Sequence, residues 1–258
     1  MKGYDANGAW ICHTGKVRKV NEDACLFGGI FSGASTSAPM RATASGKGWI
    51  IAVADGIGGH RAGAYASREV LASLAELTEF HPEGVAETLE ETNRRLQQIG
   101  RIRPELEGTG AVVAGLVLGK DGLFAFNVGD ARLYQQQEGQ PQLITRDDSV
   151  EQFLVNEGLL KAHDGVRSVF MHALTQCIGG SSDSHAVKPH FYPLKVVEAA
   201  RFLLCTDGLT DMLAGTEIQS YLVPRRKPAA AVQALFSAAM AAGGRDNITI
   251  AVVDAEPA

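Results

Sequence analysis

Six acidic residues stand where short apolar segments of the chain begin or end. Asp55 follows "WIIAVA", Asp130 follows "LFAFNVG", Asp207 follows "RFLLCT", Asp246 precedes "NITIAVV", and the pair Glu22-Asp23 precedes "ACLF". A single aspartate of this kind is an ordinary turn residue, since Asp-Gly is a common turn sequence. Five strands that begin or end at acidic residues in this way would gather their carboxylates at one edge of a sheet pair, where like charges repel. A cluster of cations would remove that repulsion.

The type of ligand predicts the type of cation. Sites built from carboxylates suit hard ions such as Mg²⁺ or Mn²⁺. Zinc is disfavoured because the seven histidines and four cysteines show no ligand spacing. Two hard ions would bind a phosphoryl group and activate a water as nucleophile. The pattern therefore favours hydrolysis of a phosphate ester over other chemistries.

Composition narrows the class of protein. The chain has 258 residues, 45% of them hydrophobic, and a net charge of −5, which argues against a nucleic-acid surface. The basic segment "PRRKP" at 224–228 is predicted to be a solvated loop. Four cysteines without CxxC spacing indicate reduced thiols, with Cys205 a small core residue. We find no signal peptide and no apolar run of membrane length, so we expect one cytoplasmic, monomeric domain over residues 1–258 that binds no membrane.

The strands and helices that must position these carboxylates follow one another in blocks, with runs of strands and consecutive helices. Apolar, β-rich runs predict strands at 10–14, 24–27, 49–54, 110–118, 123–128, 132–136, 201–206 and 247–253. Helical spacing predicts two consecutive helices, 63–80 and 85–99, an Ala-rich helix that ends at Gly243-Gly244, and a helix near 149–160. Segment 33–48 is predicted to be a polar loop. This order favours antiparallel sheets covered by helices, an α+β sandwich.

The glycine-rich segment "GTGAVVAG" at 108–115 has two interpretations. It is similar to a dinucleotide-binding fingerprint, but alanine stands where the third glycine should fall and the context is that of a strand. We interpret it as close strand packing.

Seven motifs in order carry a resemblance to a known family. They are "TGKVRKVNEDA" (14–24), "VADGIGGHRAGAYAS" (53–67), "GTGAVVAGLVL" (108–118), "NVGDARLYQ" (127–135), "LTQCIGG" (174–180), "LLCTDGLTDML" (203–213) and "GGRDNITIAVV" (243–253). On these motifs the chain resembles the metal-dependent Ser/Thr protein phosphatases of the protein phosphatase 2C type, in their bacterial branch. The resemblance implies a four-layer αββα sandwich, with two central antiparallel sheets flanked by helices and a metal centre at one rim.

The resemblance also implies a role for each motif residue. Asp55 would bridge two core Mn²⁺ or Mg²⁺ ions, and the Gly56 carbonyl would join one of them. The remaining metal positions are Asp207 and Asp246 at the other ion, Glu22 and Asp23 at metal-bound waters, and Asp130 with Asp207 at a third, weaker ion. Asn247 would orient Asp246 or a water. Arg18 would bind phosphate, because its planar fork can take two phosphate oxygens at once.

The implied reaction is a single step on phosphoserine or phosphothreonine of a protein. A hydroxide held between the two metals attacks phosphorus in line and expels the alkoxide, so that no phosphoenzyme forms. Arg18, Asp55 and Asp207 are the residues that we expect to be catalytic. The implied partners are phosphorylated proteins and a bacterial Ser/Thr kinase whose action the enzyme reverses.

The chain departs from the family pattern at the leaving group and in the flap, residues 147–170. Many eukaryotic members carry a histidine where this chain has Ile57, so the proton donor would be His60 or a metal-bound water, and we favour the water. The flap reads "DDS" where relatives often have "DHS", and it continues through the apolar residues Val169, Phe170 and Met171. This variation and the short chain resemble stand-alone phosphatases that oppose kinases controlling type VI secretion.

Two alternatives belong to other functional classes. A non-catalytic, phosphoprotein-binding member of the family would usually have lost metal ligands, and none is lost here. A nucleotide or sugar-phosphate phosphatase of the haloacid type would carry an Asp-x-Asp nucleophile, whereas "TDGLTD" spaces its aspartates by four. Metal-stimulated hydrolysis of phosphopeptides would separate all three.

Overall fold

The computed structural model describes residues 3–58, 61–136, 141–160, 173–180, 186–196, 198–224 and 226–258, without the side chain of Arg61. Its strands are β1 (Tyr4–His13), β2 (Ala24–Phe27), β3 (Ile30–Ser32), β4 (Met40–Ala44), β5 (Trp49–Ile57), β6 (Gly110–Gly119), β7 (Gly122–Val128), β8 (Arg132–Gln136), β9 (Pro141–Leu143), β10 (Ile178–Gly179), β11 (His190–Pro193), β12 (Ala200–Cys205) and β13 (Ile248–Pro257). Its helices are α1 (Arg61–Ala75), α2 (Pro82–Ile102), α3 (Val150–Asn156), α4 (Asp207–Thr210), α5 (Gly215–Tyr221) and α6 (Pro228–Ala241).

The strands form two antiparallel sheets. The first sheet has the order β4-β1-β13-β12-β8-β9, and the second has the order β11-β7-β6-β5-β2-β3, with β10 beside β6. Strands β1 and β13 pair from Tyr4↔Pro257 to His13↔Ile248, so that segments near both ends of the sequence are neighbours at the centre of the first sheet.

Alternating burial along the strands produces four layers. In β13, Ala251 and Val253 pack between the two sheets, whereas Ile250 and Val252 face the helices α4, α5 and α6. In the second sheet Ile51 packs between the sheets, whereas residues such as Ile50 and Ala52 pack against α1 and α2. Because side chains of a strand alternate between faces, a strand buried on both faces is apolar throughout. The predicted αββα sandwich is confirmed.

Several elements differ from their predicted bounds. The segment 33–48 contains strand β4, whose Ala42 and Ala44 are buried against the inter-sheet core, so the prediction of a loop there was wrong. Small residues on an edge strand leave little hydrophobic signal in the sequence. The first long helix ends at Ala75 rather than near 80, and the second extends from Pro82 to Ile102. None of the helices in the described ranges is long and apolar enough to cross a membrane.

Strand β6 explains the last glycine of "GTGAVVAG". The strand is buried along its whole length, and a Cβ added at Gly115 would lie 2.2 Å from the ring of Phe126 on β7. Gly115 is therefore needed for close packing of an aromatic ring against the strand, as the interpretation of this segment predicted.

Candidate metal centre

The predicted acidic residues lie where the chain leaves or enters the two sheets at one rim. Asp55 lies near the end of strand β5 in the second sheet. Asp207 follows β12, and Asp246 precedes β13, in the first sheet. Glu22-Asp23 and Asp130 lie on two of the connections that pass between the sheets, β1 to β2 and β7 to β8. The topology therefore carries all six carboxylates to the same rim, as the sequence pattern predicts.

The electrostatics show that these carboxylates face one another. Burial raises the pKa of Asp55 well above its usual value, and the charges of Asp23, Asp207, Asp130 and Asp246 raise it further. The pKa of Asp207 is likewise raised by burial and then by its acidic neighbours. Close carboxylates resist simultaneous ionisation. Bound cations would therefore reduce the repulsion between the carboxylates of this rim.

Two further carboxylates share this environment. Burial raises the pKa of Asp23 to about 7 and that of Asp130 to about 6. Asp23 is fully buried, and its Oδ2 accepts a hydrogen bond of 2.9 Å from Thr206 Oγ1. The Thr206 hydroxyl in turn accepts the Thr249 amide at 3.1 Å, so Asp23 is held by the paired strands β12 and β13.

Asn247 connects the loop that carries Arg18 to the start of β13. Its Oδ1 accepts the amide of Glu22 at 2.8 Å, and its Nδ2 donates to the carbonyls of Thr14 and Val20 at 3.0 Å each. The backbone amide of Asn247 donates to Asp246 Oδ1 at 2.8 Å. Asn247 is buried, and it therefore orients Asp246 and shapes the loop through residues 14–22 at the same time.

Glu22 and the Gly56 carbonyl meet at the beginning of α1. A Cβ added at Gly63 would lie 2.5 Å from Glu22 Oε1 and 2.6 Å from the Gly56 carbonyl oxygen. Only glycine lets the helix backbone come this close to the two oxygens. Gly56 and Gly63 of the "DGIGGHRAG" segment thus have a packing reason beside the acidic rim.

Arg18 is the basic residue at this rim that forms an ion pair with a predicted metal ligand. Its Nη2 donates to Asp246 Oδ2 at 2.6 Å, and half of the Arg18 side chain is exposed. The hydrogen bond to Asp246 raises the pKa of the guanidinium further. Arg18 remains charged at any physiological pH and has exposed donors next to the carboxylate cluster.

In the part of the chain that the structure describes, no three His, Cys, Asp or Glu side chains are arranged to hold one metal ion. Asp246 is instead engaged by Arg18. The chemistry of the donors nevertheless fits a hard divalent cation, because they are oxygen atoms only. Two of these atoms, Asp23 Oδ1 and Asp207 Oδ1, are buried and accept no hydrogen bond from the described residues, as expected for atoms that await a ligand.

Sequence reasoning missed three residues that the structure brings to this site. Thr206 binds Asp23, and Asp211 contributes to the raised pKa of both Asp207 and Asp130. Asp211 lies one helical turn after Asp207, a spacing that places both on one helix face. Asp147 raises the pKa of Asp130 and forms an ion pair with Arg132. Arg132 is fifteen positions from Asp147 in the sequence, so no local sequence pattern predicts this ion pair.

The base of the flap is anchored beside Asp130. Asp148 Oδ2 accepts the amide of Gly129 and the Nε2 of Gln176, both at 2.8 Å, and Asp148 Oδ1 lies 2.8 Å from His190 Nε2. The "DDS" departure therefore has a structural role in this chain. His60, Val169, Phe170 and Met171 lie outside the described residues, and so do flap residues 161–170.

An α+β sandwich of two antiparallel sheets with an oxygen-rich acidic rim is the arrangement that the resemblance to metal-dependent phosphatases implies. A sequence profile of the protein phosphatase 2C family matches residues 38–243 of the chain. The chain belongs to the protein phosphatase 2C family, as the seven motifs predict.

Curated relatives agree with this assignment. The chain is 31% identical over 250 residues to the serine/threonine protein phosphatase PstP of Mycobacterium tuberculosis, which covers 93% of this chain and 43% of PstP. The chain thus spans less than half of that relative. It is 28% identical over 249 residues to the serine/threonine phosphatase stp of Listeria welshimeri, covering 93% of this chain and 92% of stp.

Solved structures share the fold. The catalytic domain of PstP in complex with two manganese ions superposes with a TM-score of 0.76 at 25% identity, covering 98% of this chain and 99% of that one. PppA of Pseudomonas aeruginosa, described as a key regulatory component of the type VI secretion system, superposes with a TM-score of 0.73 at 26% identity, covering 98% of each chain.

Proposed function

We propose that this protein is a metal-dependent protein phosphatase that hydrolyses phosphoserine and phosphothreonine on proteins and so opposes a bacterial Ser/Thr kinase. The observation that carries the proposal is the group of buried carboxylates that mutually raise their pKa values at one rim. Such a group is functional rather than structural by default, because mutual repulsion between buried carboxylates costs stability. Membership of the family and the named relatives support the same reaction.

Asp55, Asp207 and Asp246, with the Gly56 carbonyl, would hold two core Mn²⁺ or Mg²⁺ ions, and Asp130 with Asp207 would hold a third. When bound, these ions would activate the attacking water and offset the charge of the phosphoryl group. The manganese ions in the PstP catalytic domain support this choice of metal. Glu22 and Asp23 would hold waters bound to the ions, and Asp23 is oriented by the Thr206 hydroxyl.

Arg18 would bind the phosphoryl oxygens of the substrate. Its ion pair with Asp246 places the guanidinium at the edge of the carboxylate group with half of the side chain exposed. A guanidinium can direct two parallel N–H donors at one phosphate group. Arg18 therefore orients the ester while the carboxylates hold the ions.

The flap supports a protein substrate over a small metabolite. Helix α3 has no buried residues in its seven positions, and Phe153 is 55% exposed. Leu159, just after the helix, is 73% exposed. Exposed apolar side chains beside an acidic rim suit contact with a polypeptide around the phosphorylated residue. We propose that the protein acts in the cytoplasm, and the type VI secretion subgroup stays a prediction.

The decisive experiment is hydrolysis of a phosphothreonine peptide and of p-nitrophenyl phosphate with and without added Mn²⁺ or Mg²⁺. We expect activity only with one of these ions and no turnover of nucleotides or sugar phosphates at a comparable rate. Full activity after exhaustive chelation, or activation by zinc alone, would contradict the proposal. Inactivity toward every phosphopeptide with the metals bound would favour the non-catalytic, phosphoprotein-binding alternative.

Two variants separate metal ligands from phosphate binders in the same assay. Asp55→Asn should abolish turnover and weaken binding of Mn²⁺ in calorimetric titration. Arg18→Ala should keep the metals but raise KM more than it lowers kcat, because it removes substrate contact from both ground and transition state. Equal loss of metal affinity in both variants would contradict this division of roles.

A further inference from the structure

A second polar site lies at the opposite end of the first sheet from the acidic rim. A cavity of about 420 Å³ is lined by strand residues of β1, β4, β12 and β13 and by the segment that leads into α6. Asp254, in its wall, follows Asp246 by eight residues along β13. At about 3.3 Å per residue the cavity is about 25 Å from the rim, too far to be part of the metal centre.

The wall of the cavity is strongly basic, in contrast to the chain as a whole. The charged residues that line it are Arg41, Arg201, Arg226, Lys227 and Asp254. Cationic side chains thus exceed carboxylates by three among its lining residues, in a protein of net charge −5. A concave surface with one sign of charge concentrates ligands of the opposite sign. The segment "PRRKP", predicted to be a solvated loop, is irregular at its described residues before α6 and supplies two of these cations, half-buried Arg226 and exposed Lys227.

One wall of the cavity is built and rigid. Arg201, with a side chain only 5% exposed, donates to both oxygens of Asp254 at 2.6 and 2.8 Å and to the Val223 carbonyl at 2.7 Å. Asp254 is thereby neutralised by a fork of two parallel hydrogen bonds. The register Asn7↔Asp254↔Arg201 places these three side chains in one row across β1, β13 and β12.

The other wall holds a guanidinium with one donor that no described residue accepts. Arg226 packs its guanidinium over the ring of Tyr221, with 5.6 Å between the guanidinium carbon and the ring centroid. Its Nη1 is buried and has no hydrogen-bond partner among the described residues. A buried guanidinium nitrogen without an acceptor is costly. An anionic ligand in the cavity would pair with the charge of this guanidinium.

The start of α6 contributes to the same wall. Lys227, Pro228 and Ala229 line the cavity, and Lys227 is the N-cap of this 14-residue helix without a side-chain capping hydrogen bond. The first turn of a helix carries partial positive charge and attracts anions. Arg226, Lys227 and the helix start therefore present positive charge from one side, while exposed Arg41 on β4 presents it from the edge of the sheet.

We propose that this cavity binds a small anion that carries phosphate groups, at a site separate from the metal centre. Several cations around one cavity match a ligand with more than one negative charge, and arginine forks match phosphate oxygens. A volume of about 420 Å³ is in the range of small-molecule sites. The proposal does not depend on the proposed enzymatic activity.

The test is calorimetric titration of the full chain with inorganic pyrophosphate in excess EDTA, which removes metal-mediated binding at the rim. We expect one site per chain, with affinity reduced about tenfold by Arg226→Gln or Arg41→Gln, since a hydrogen bond to a charged group is worth about one such factor. Arg41 is exposed on an edge strand, so Arg41→Gln keeps the test valid if Arg226→Gln unfolds. Arg94→Gln, on the exposed side of α2, is the matched control and should bind as the parent does.

Arg18→Ala distinguishes the cavity from the phosphate-binding arginine at the rim, and it should leave pyrophosphate binding unchanged. Loss of binding in Arg18→Ala with retention in Arg41→Gln would overturn the proposal. So would the absence of saturable binding, or citrate binding more tightly than pyrophosphate. Because no turnover is measured, failure of the proposed phosphatase activity would not affect this result.

Discussion

At the scale of single residues, the two ends of the first sheet place aspartates in opposite electrostatic environments. Asp207 lies among other carboxylates, and burial followed by those neighbours raises its pKa well above the usual value. Asp254, on the adjacent strand but at the other end, is held by Arg201 through two hydrogen bonds. An aspartate is thus destabilising at the acidic rim and stabilising at the opposite end of the first sheet. Replacing each of the two aspartates with asparagine tests both effects.

We predict that Asp207→Asn raises the melting temperature of the metal-free protein at pH 8 while it abolishes activity. Because the pKa of Asp207 is higher in the folded than in the unfolded chain, its contribution to stability falls as pH rises above the unfolded value. Asparagine has no proton to lose and can donate to neighbouring carboxylates. We expect an increase of about 2–4 °C, the shift that corresponds to about 1 kcal/mol in a chain of this size.

Asp254→Asn is the matched control, and it should lower the melting temperature because it leaves the buried Arg201 guanidinium without its carboxylate. Scanning calorimetry in EDTA measures both variants. Added Mn²⁺ should stabilise the parent and the Asp254→Asn protein but have a much smaller effect on Asp207→Asn. A decrease in melting temperature for Asp207→Asn in EDTA would contradict the interpretation of the rim as a strained group of like charges.

At the scale of elements, the flap helix α3 exposes an aromatic side chain. Phe153 is exposed on a helix without buried residues, while the base of the flap is fixed through Asp148 to Gly129 beside Asp130. We predict that Phe153→Ser raises KM for a phosphothreonine peptide about tenfold, because loss of one buried aromatic contact is worth at least one such factor. Hydrolysis of p-nitrophenyl phosphate should be unchanged.

The control for Phe153→Ser is Ile30→Ser. Ile30 is 48% exposed and pairs with Phe27, four residues along β2 from Asp23 and so about 13 Å from the rim. The Ile30→Ser substitution removes an exposed apolar side chain and leaves the flap unchanged. Its steady-state kinetics on both substrates should match those of the parent protein. Equal losses on the aryl ester and the peptide in Phe153→Ser would place its effect in the catalytic group rather than in substrate contact.

The elements also show what the sequence could predict. Strand β5 and the carboxylate at its end follow from a local apolar run and an Asp-Gly pair, so both could be read directly. Strand β4 could not, because its small residues become buried only when β1 lies beside them. The Arg18–Asp246 pair joins residues 228 positions apart, and the role of Arg18 there depends on the packing of Asn247 against the loop. Long-range pairing of this kind leaves no local pattern.

At the scale of the whole molecule, two of the core layers contain buried cysteines that form no disulfide. Cys12 and Cys25 are buried between the two sheets, whereas Cys205 is buried between the first sheet and the helices α4 to α6. Cys177 is partly exposed. Burial raises the pKa of Cys12 and of Cys205 to about 12. Since the thiolate is the reactive form, we expect these buried thiols to be inert in the native protein.

We predict that Cys12, Cys25 and Cys205 become reactive together as the protein unfolds, in line with the single domain expected from the sequence. Strands β1 and β13 belong to both cores that contain these thiols, so loss of either core removes support from the other and makes unfolding cooperative. Pulsed alkylation along a urea series, read by mass spectrometry of each cysteine peptide, should give one midpoint for the three thiols. Exposure of Cys205 at clearly lower urea than Cys12 and Cys25 would instead show that the helical layer over the first sheet unfolds as a separate unit, and the prediction of one cooperative domain would be wrong.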